Sequence, residues 1–235
     1  MNYPLRITRV ATIYMALIIS AHAQLIQWNT FGNTGTETTE PSVFTNSNIA
    51  SANLTQGTIT AATNGNRFGG SGWFNTGNTA AGNTLAEAVA GNDYIQFVIT
   101  PLSGATFTPT SFDFTWDRSG TGPSSATLRS SFDGFASDLG TVTGMVSGGV
   151  ATTTTRTITI TGLTDLSVAT TFRLYGYGAT GTSGTGGFDI GTNAVNVQLS
   201  GTASAIPEPS TYAAIFGALA LVGTVWHRRR QRIAT

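Results

Sequence analysis

Residues 111–117 read SFDFTWD: Phe112, Phe114 and Trp116 alternate with Asp113, Thr115 and Asp117. A period of two places successive side chains on opposite faces of an extended chain. One face here is aromatic and the other polar, the pattern of a strand in an antiparallel sheet solvated on one side. The same alternation recurs along the chain. In TRTITIT, Ile158 and Ile160 alternate with threonines, and in AVNVQLS, Val195, Val197 and Leu199 alternate with Asn196 and Gln198. YIQFVIT turns Ile95, Phe97 and Ile99 to one face, and TFRLYGYG does the same with Phe172 and Leu174. Between these runs stand TGP, DGF, SGG and GTSGTGG, which are turn chemistry.

Short alternating strands with glycine-rich turns predict an all-β fold, an antiparallel β-sandwich of jelly-roll-like type. The abundance of Gly and Thr admits one alternative, a parallel β-helix, which should show a repeat of about 20 residues per coil; none is visible. One stretch, AGNTLAEAVAGND at 81–93, is patterned for a turn or two of helix. Residues 33–70 are polar and weakly patterned and read as edge strands joined by long loops.

Composition narrows the chemistry. Cysteine is absent, and the only two histidines are His22 and His227, near the two ends. Residues 24–206 therefore hold neither, which excludes a Ser-His-Asp triad, a Cys-His dyad and the usual Cys/His zinc sites there. That segment carries five arginines against ten carboxylates, and no lysine, so its formal charge is near −5 although the whole chain is neutral. Such a body has no electrostatic footprint for nucleic acid.

Both ends read as address labels. Arg6 and Arg9 precede the apolar run VATIYMALIIS at 10–20, and Ala21-His22-Ala23 fits the small-x-small cleavage rule. This predicts a signal peptide over 1–23 and a mature chain beginning near Gln24. The body then spans 24–205, leaving 206–235 as a third segment. There, Pro207-Glu208-Pro209 is followed by an uncharged apolar run, TYAAIFGALALVGTVW (211–226), and by Arg228, Arg229, Arg230 and Arg232. At a rise of 1.5 Å per residue the run makes about 24 Å of helix, a marginal membrane span whose arginines would stay on the cytoplasmic side as a stop-transfer cluster.

A proline-flanked acidic triplet, a short apolar helix and a terminal arginine cluster, in that order behind a signal peptide, resemble the PEP-CTERM sorting signal. The resemblance implies signal peptidase and a membrane-embedded exosortase as processing partners, with removal or exchange of the tail. It also implies export across the inner membrane of a Gram-negative bacterium that makes extracellular polysaccharide. The destination would be the cell surface or biofilm matrix, with membrane contact through the C-terminal helix during transit. More loosely, residues 114–135 (FTWDRSGTGPSSATLRSSFDGF), 172–178 (FRLYGYG) and 184–201 (GTGGFDIGTNAVNVQLSG) resemble a β-rich domain found in many proteins of that family, which carries no activity over to this chain.

Three functional expectations follow. The first is a structural or adhesive role tied to exopolysaccharide, without catalysis. The second is a glycan-binding module, with Trp73, Tyr175 and Tyr177 as stacking platforms and Asp117, Asp133, Asp138 and Asp189 as oxygen ligands for an assisting calcium; otherwise no cofactor is expected. The third is a secreted carbohydrate-active enzyme, which needs two carboxylates about 5–9.5 Å apart. Asp113 and Asp117, four residues apart on one strand face, would be separated by roughly 13 Å, too far for such a pair. Arg129 and Arg173, each within a strand-like segment, are expected to pair with acids across strands.

Overall fold

The computed structural model describes residues 23–74, 83–149 and 154–206, and beyond them residues 213, 216–217, 219–224 and 226. Fourteen strands in these residues form two antiparallel sheets.

The first sheet holds β1 (Ala23–Trp28), β3 (Phe44–Thr45), β5 (Thr60–Ala61), β6 (Arg67–Ser71), β8 (Ala105–Arg118), β11 (Thr155–Thr159), β13 (Gly186–Asp189) and β14 (Val197–Ala205), in the order β3-β1-β14-β8-β13-β6-β5, with β11 also paired to β8. The second holds β2 (Thr39–Pro41), β4 (Asn53–Gln56), β7 (Tyr94–Ile99), β9 (Ser125–Ser130), β10 (Gly140–Val142) and β12 (Thr170–Tyr177), in the order β10-β9-β12-β7-β4-β2. Every strand pairing is antiparallel, the opposite of what a parallel β-helix requires.

The opening stretch lies in β8, the longest strand. Phe112, Phe114 and Trp116 are buried, as their alternation predicts. They meet the second sheet through Phe97, whose ring stacks on Phe112 at 5.2 Å and on Phe172 at 5.3 Å while Trp28 tilts against it at 5.0 Å. Phe188 of β13 fills the space beside Phe112, Phe114 and Trp116. One continuous core thus joins both sheets. Ile95, Ile99, Leu174, Ile158, Val197 and Leu199 are buried as expected. Val195 is not: β14 begins only at Val197, and Val195 sits exposed in the preceding loop. The polar segment 33–70 supplies β2 to β6, of which β6 is buried rather than marginal, flanked by β13 and β5.

The helix expected within 81–93 is α1 (Leu85–Gly91). Thr84 accepts the Glu87 N–H and the Glu87 carboxylate accepts the Thr84 N–H, a capping box, while Asn92 closes the other end in the left-handed conformation. Its Leu85, Ala88 and Val89 cover Tyr94, Tyr175 and Tyr177 in a second, smaller apolar cluster on the outer side of the second sheet.

Among the described residues no helix is long and apolar enough to cross a membrane. Within the run 211–226, the described residues are helical and exposed, including Phe216, Leu219, Leu221, Val222 and Trp226.

Candidate functional site

The most unusual local chemistry is a buried cluster of charge. Arg67 of β6 stands opposite Asp189 of β13 in the strand register, with Nε 3.3 Å from Oδ2. Its Nη2 forms a second ion pair with Oδ2 of Asp117 on β8, and its Nη1 donates to the Thr185 hydroxyl at 3.2 Å. Asp117 Oδ1 accepts the Gly149 N–H at 3.0 Å. Gly187, two residues before Asp189 on β13, faces Gly69 on one side and Asp117 on the other. A Cβ at Gly187 would come within 2.5 Å of the Phe68 carbonyl oxygen, so only glycine lets β6 and β13 approach this closely.

The cluster does not balance. One guanidinium faces two carboxylates, all three side chains are almost wholly enclosed, and among the described residues Asp189 Oδ1 has no hydrogen-bond partner. Burial pushes the Asp189 carboxyl up to about 6; Arg67 pulls against this, and the neighbouring Asp117 charge adds to it. A titratable group near neutrality can mark a reactive site. Here both carboxylates hold the same guanidinium in an enclosed space, an arrangement that clamps β6, β8 and β13 together.

The oxygen ligands proposed for calcium are thereby dispersed. Asp117 and Asp189 are consumed by Arg67. Asp133, in the 3-10 turn Ser131–Asp133, accepts the N–H groups of Ala136 and Ser137, and Asp138 pairs with Arg129 at 2.6 Å. No group of three or more His, Cys, Asp or Glu suited to a metal ion occurs among the described residues. Asp117 also corrects the reading of β8 as solvated on its polar face, because the Gly149 segment and Arg67 cover that end of the strand.

The aromatic platforms are corrected too. Trp73 is fully buried: its indole N–H donates to the Gly70 carbonyl at 2.7 Å, and its ring packs edge-on to Trp116 at 5.6 Å. Gly176 of β12 provides the bare backbone against which that ring lies, since a Cβ there would meet it at 2.6 Å. Tyr175 is buried beneath α1, edge-on to Tyr94, and Tyr177 is half-buried in the same cluster. Trp73 and Tyr175 offer no free ring face to a sugar. Arg129 pairs with an acid as expected, whereas Arg173 does not: its Nε donates to Gln96, and its guanidinium lies over the rings of Tyr94 and Phe135 at 4.3 and 4.1 Å.

Among the described residues, two open depressions stand out. One, of about 210 Å³, is lined by Asp113, Thr115, Thr155, Val195, Asn196 and Gln198 on the first sheet. The other, of about 510 Å³, opens where β4 and β7 diverge after the pairs Thr55–Gln96 and Gln56–Ile95, and is rimmed by Ser51, Asn53, Thr55, Gln96, Val98 and Thr100. The sequence reading singled out neither. Ser51, Asn53 and Thr55 belong to a weakly patterned segment, and their convergence with Gln96 depends on a strand pairing that no local signal encodes.

Of the terminal labels, Ala23 and Gln24 open β1 and are exposed. Ala21, Pro207, Glu208, Pro209, Arg228, Arg229, Arg230 and Arg232 lie outside the described residues. No family model matches the chain, and no curated protein aligns with it.

Proposed function

We propose that this chain is an exported surface or matrix protein: a jelly-roll-like β-sandwich delivered through a signal peptide and a C-terminal sorting tail, with a structural or adhesive rather than catalytic role in exopolysaccharide. The observation that carries the reading is the tail itself, Pro207-Glu208-Pro209 followed by the apolar run 211–226 and the arginine cluster. The exposed helical residues of that run support it. Phe216, Leu219, Leu221 and Val222 fall widely around a helix and are exposed, a distribution suited to lipid rather than to a protein core. Exosortase and signal peptidase are then the partners in processing, and extracellular polysaccharide the partner at the destination. Support for a glycan contact comes from the groove between β4 and β7, whose amides and hydroxyls suit sugar hydroxyls, and not from the buried Trp73 or Tyr175.

The test is the intact mass and terminal peptides of the native protein from cell-surface and culture fractions. Processing gives a chain beginning near Gln24 and ending near Pro207-Glu208-Pro209, and replacing all three motif residues with alanine leaves the tail in place. An unchanged mature mass in that variant removes the sorting claim.

A further inference from the structure

Six strand ends converge on one pole of the sandwich. Thr170 at the start of β12 pairs with Ile99 at the end of β7, and Phe172 pairs with Ser130 at the end of β9. The turn after β7 leads into Ala105, which pairs with Ala205 at the end of β14, and the Ile206 N–H donates to the Gly104 carbonyl at 2.6 Å. Ala23 pairs with Gly201, so the start of β1 lies toward this pole as well.

The turns at this pole expose large apolar side chains. Leu102 is 46% exposed, Ile206 54%, Phe132 61% and Val168 65%. The Thr170 hydroxyl donates to the Val168 carbonyl, and the Ser131 hydroxyl accepts the Thr171 N–H, so the turn carrying Phe132 is tied to the start of β12. The charges in these turns are of both signs: Asp133 and Asp165 are acidic, while Arg129 donates to the Phe135 carbonyl at 3.1 Å and pairs with Asp138.

We infer that this pole is a lipid-facing surface, with Leu102, Phe132, Val168 and Ile206 seated in the interfacial layer of the bilayer that holds the C-terminal helix. The inference rests on the reading of that helix as membrane-inserted. The reach of the chain carries it further. From Ile206 to Ala213, the first described helical residue, even a fully extended chain covers at most about 25 Å. A body tethered that closely keeps this pole near the membrane, and an apolar rim there gains by entering the headgroup boundary.

The absence of native cysteine makes the test clean. In the full chain reconstituted in phosphatidylcholine vesicles, single cysteines replace Leu102, Phe132, Val168, Leu219 in the helix, or Thr180 at the far pole, each carrying an environment-sensitive fluorophore. Lipids bearing a shallow spin label should quench the probes at 102, 132 and 168 strongly and leave the probe at 180 bright, while a deep spin label quenches the probe at 219. Quenching at 219 with the three rim probes as bright as 180 overturns the inference and leaves the membrane helix standing. A bright probe at 219 overturns both. Rim probes shielded from aqueous iodide but untouched by labelled lipid show that protein, such as a second copy, covers the pole, which also overturns the inference.

Discussion

Asp189 is the residue whose behaviour the surrounding charges determine most directly. Its carboxyl titrates near 6 in the folded protein, above the ordinary 3.8, because burial disfavours its ionised form and one guanidinium must serve two acids. The folded state therefore holds its proton more tightly than the unfolded chain. This contribution to stability is full below the unfolded value and is lost as pH rises through about 6, a loss of about 3 kcal/mol across the window. Glu40 shifts in the same direction, raised by burial, so the Asp189 share is read as a difference between proteins. In urea melts from pH 4 to 7, Asp189→Asn should lack that part of the downward slope and cost little at pH 7. Arg67→Met, in contrast, leaves two buried acids unpaired and should cost about 3–5 kcal/mol at pH 7. Equal losses from the two variants at pH 7 would count against an unbalanced cluster.

At the scale of elements, the alternating strands were legible because period two survives in any sequence where one sheet face is buried. Phe112, Phe114, Ile95, Phe97 and Phe172 all followed it. Trp73 was not legible: it stands in GGSGWFNTGN, where glycines leave no period, and its burial depends on Gly176, about a hundred residues away in sequence. Arg67 was passed over for a related reason. An arginine beside FGG carries no local sign that its strand is internal, and the partners that enclose it lie on β8 and β13. The helical cap, which needs only Thr84, Glu87 and Asn92, was within reach of a local reading. Gly176→Ala tests the packing of β12 against Trp73. The added methyl enters the indole ring's space, so the variant should lose about 1–3 kcal/mol, with a shift in tryptophan near-ultraviolet dichroism. Wild-type stability in that variant would mean that Trp73 can move.

For the whole molecule, the placement of the ends matters more than the identity of any one side chain. β14 ends at the pole where Ile206 leaves, and it is bound to β8 by nine registered pairs and to β1 by five. A pull on Ile206 away from that pole runs along the axis of β14, so the ladder bonds share the force and must give way together. A pull between Ala23 and Ile206 acts across adjacent strands at one end and parts the β1–β14 ladder one bond at a time. Single-molecule stretching between Ile206 and a handle at Thr180 should therefore need a much larger rupture force than stretching between the two ends; equal forces would show that another ladder yields first. A protein held to a surface at this pole and gripped at the other would thus be loaded in its strongest direction, which makes the sandwich a mechanical link as well as a scaffold.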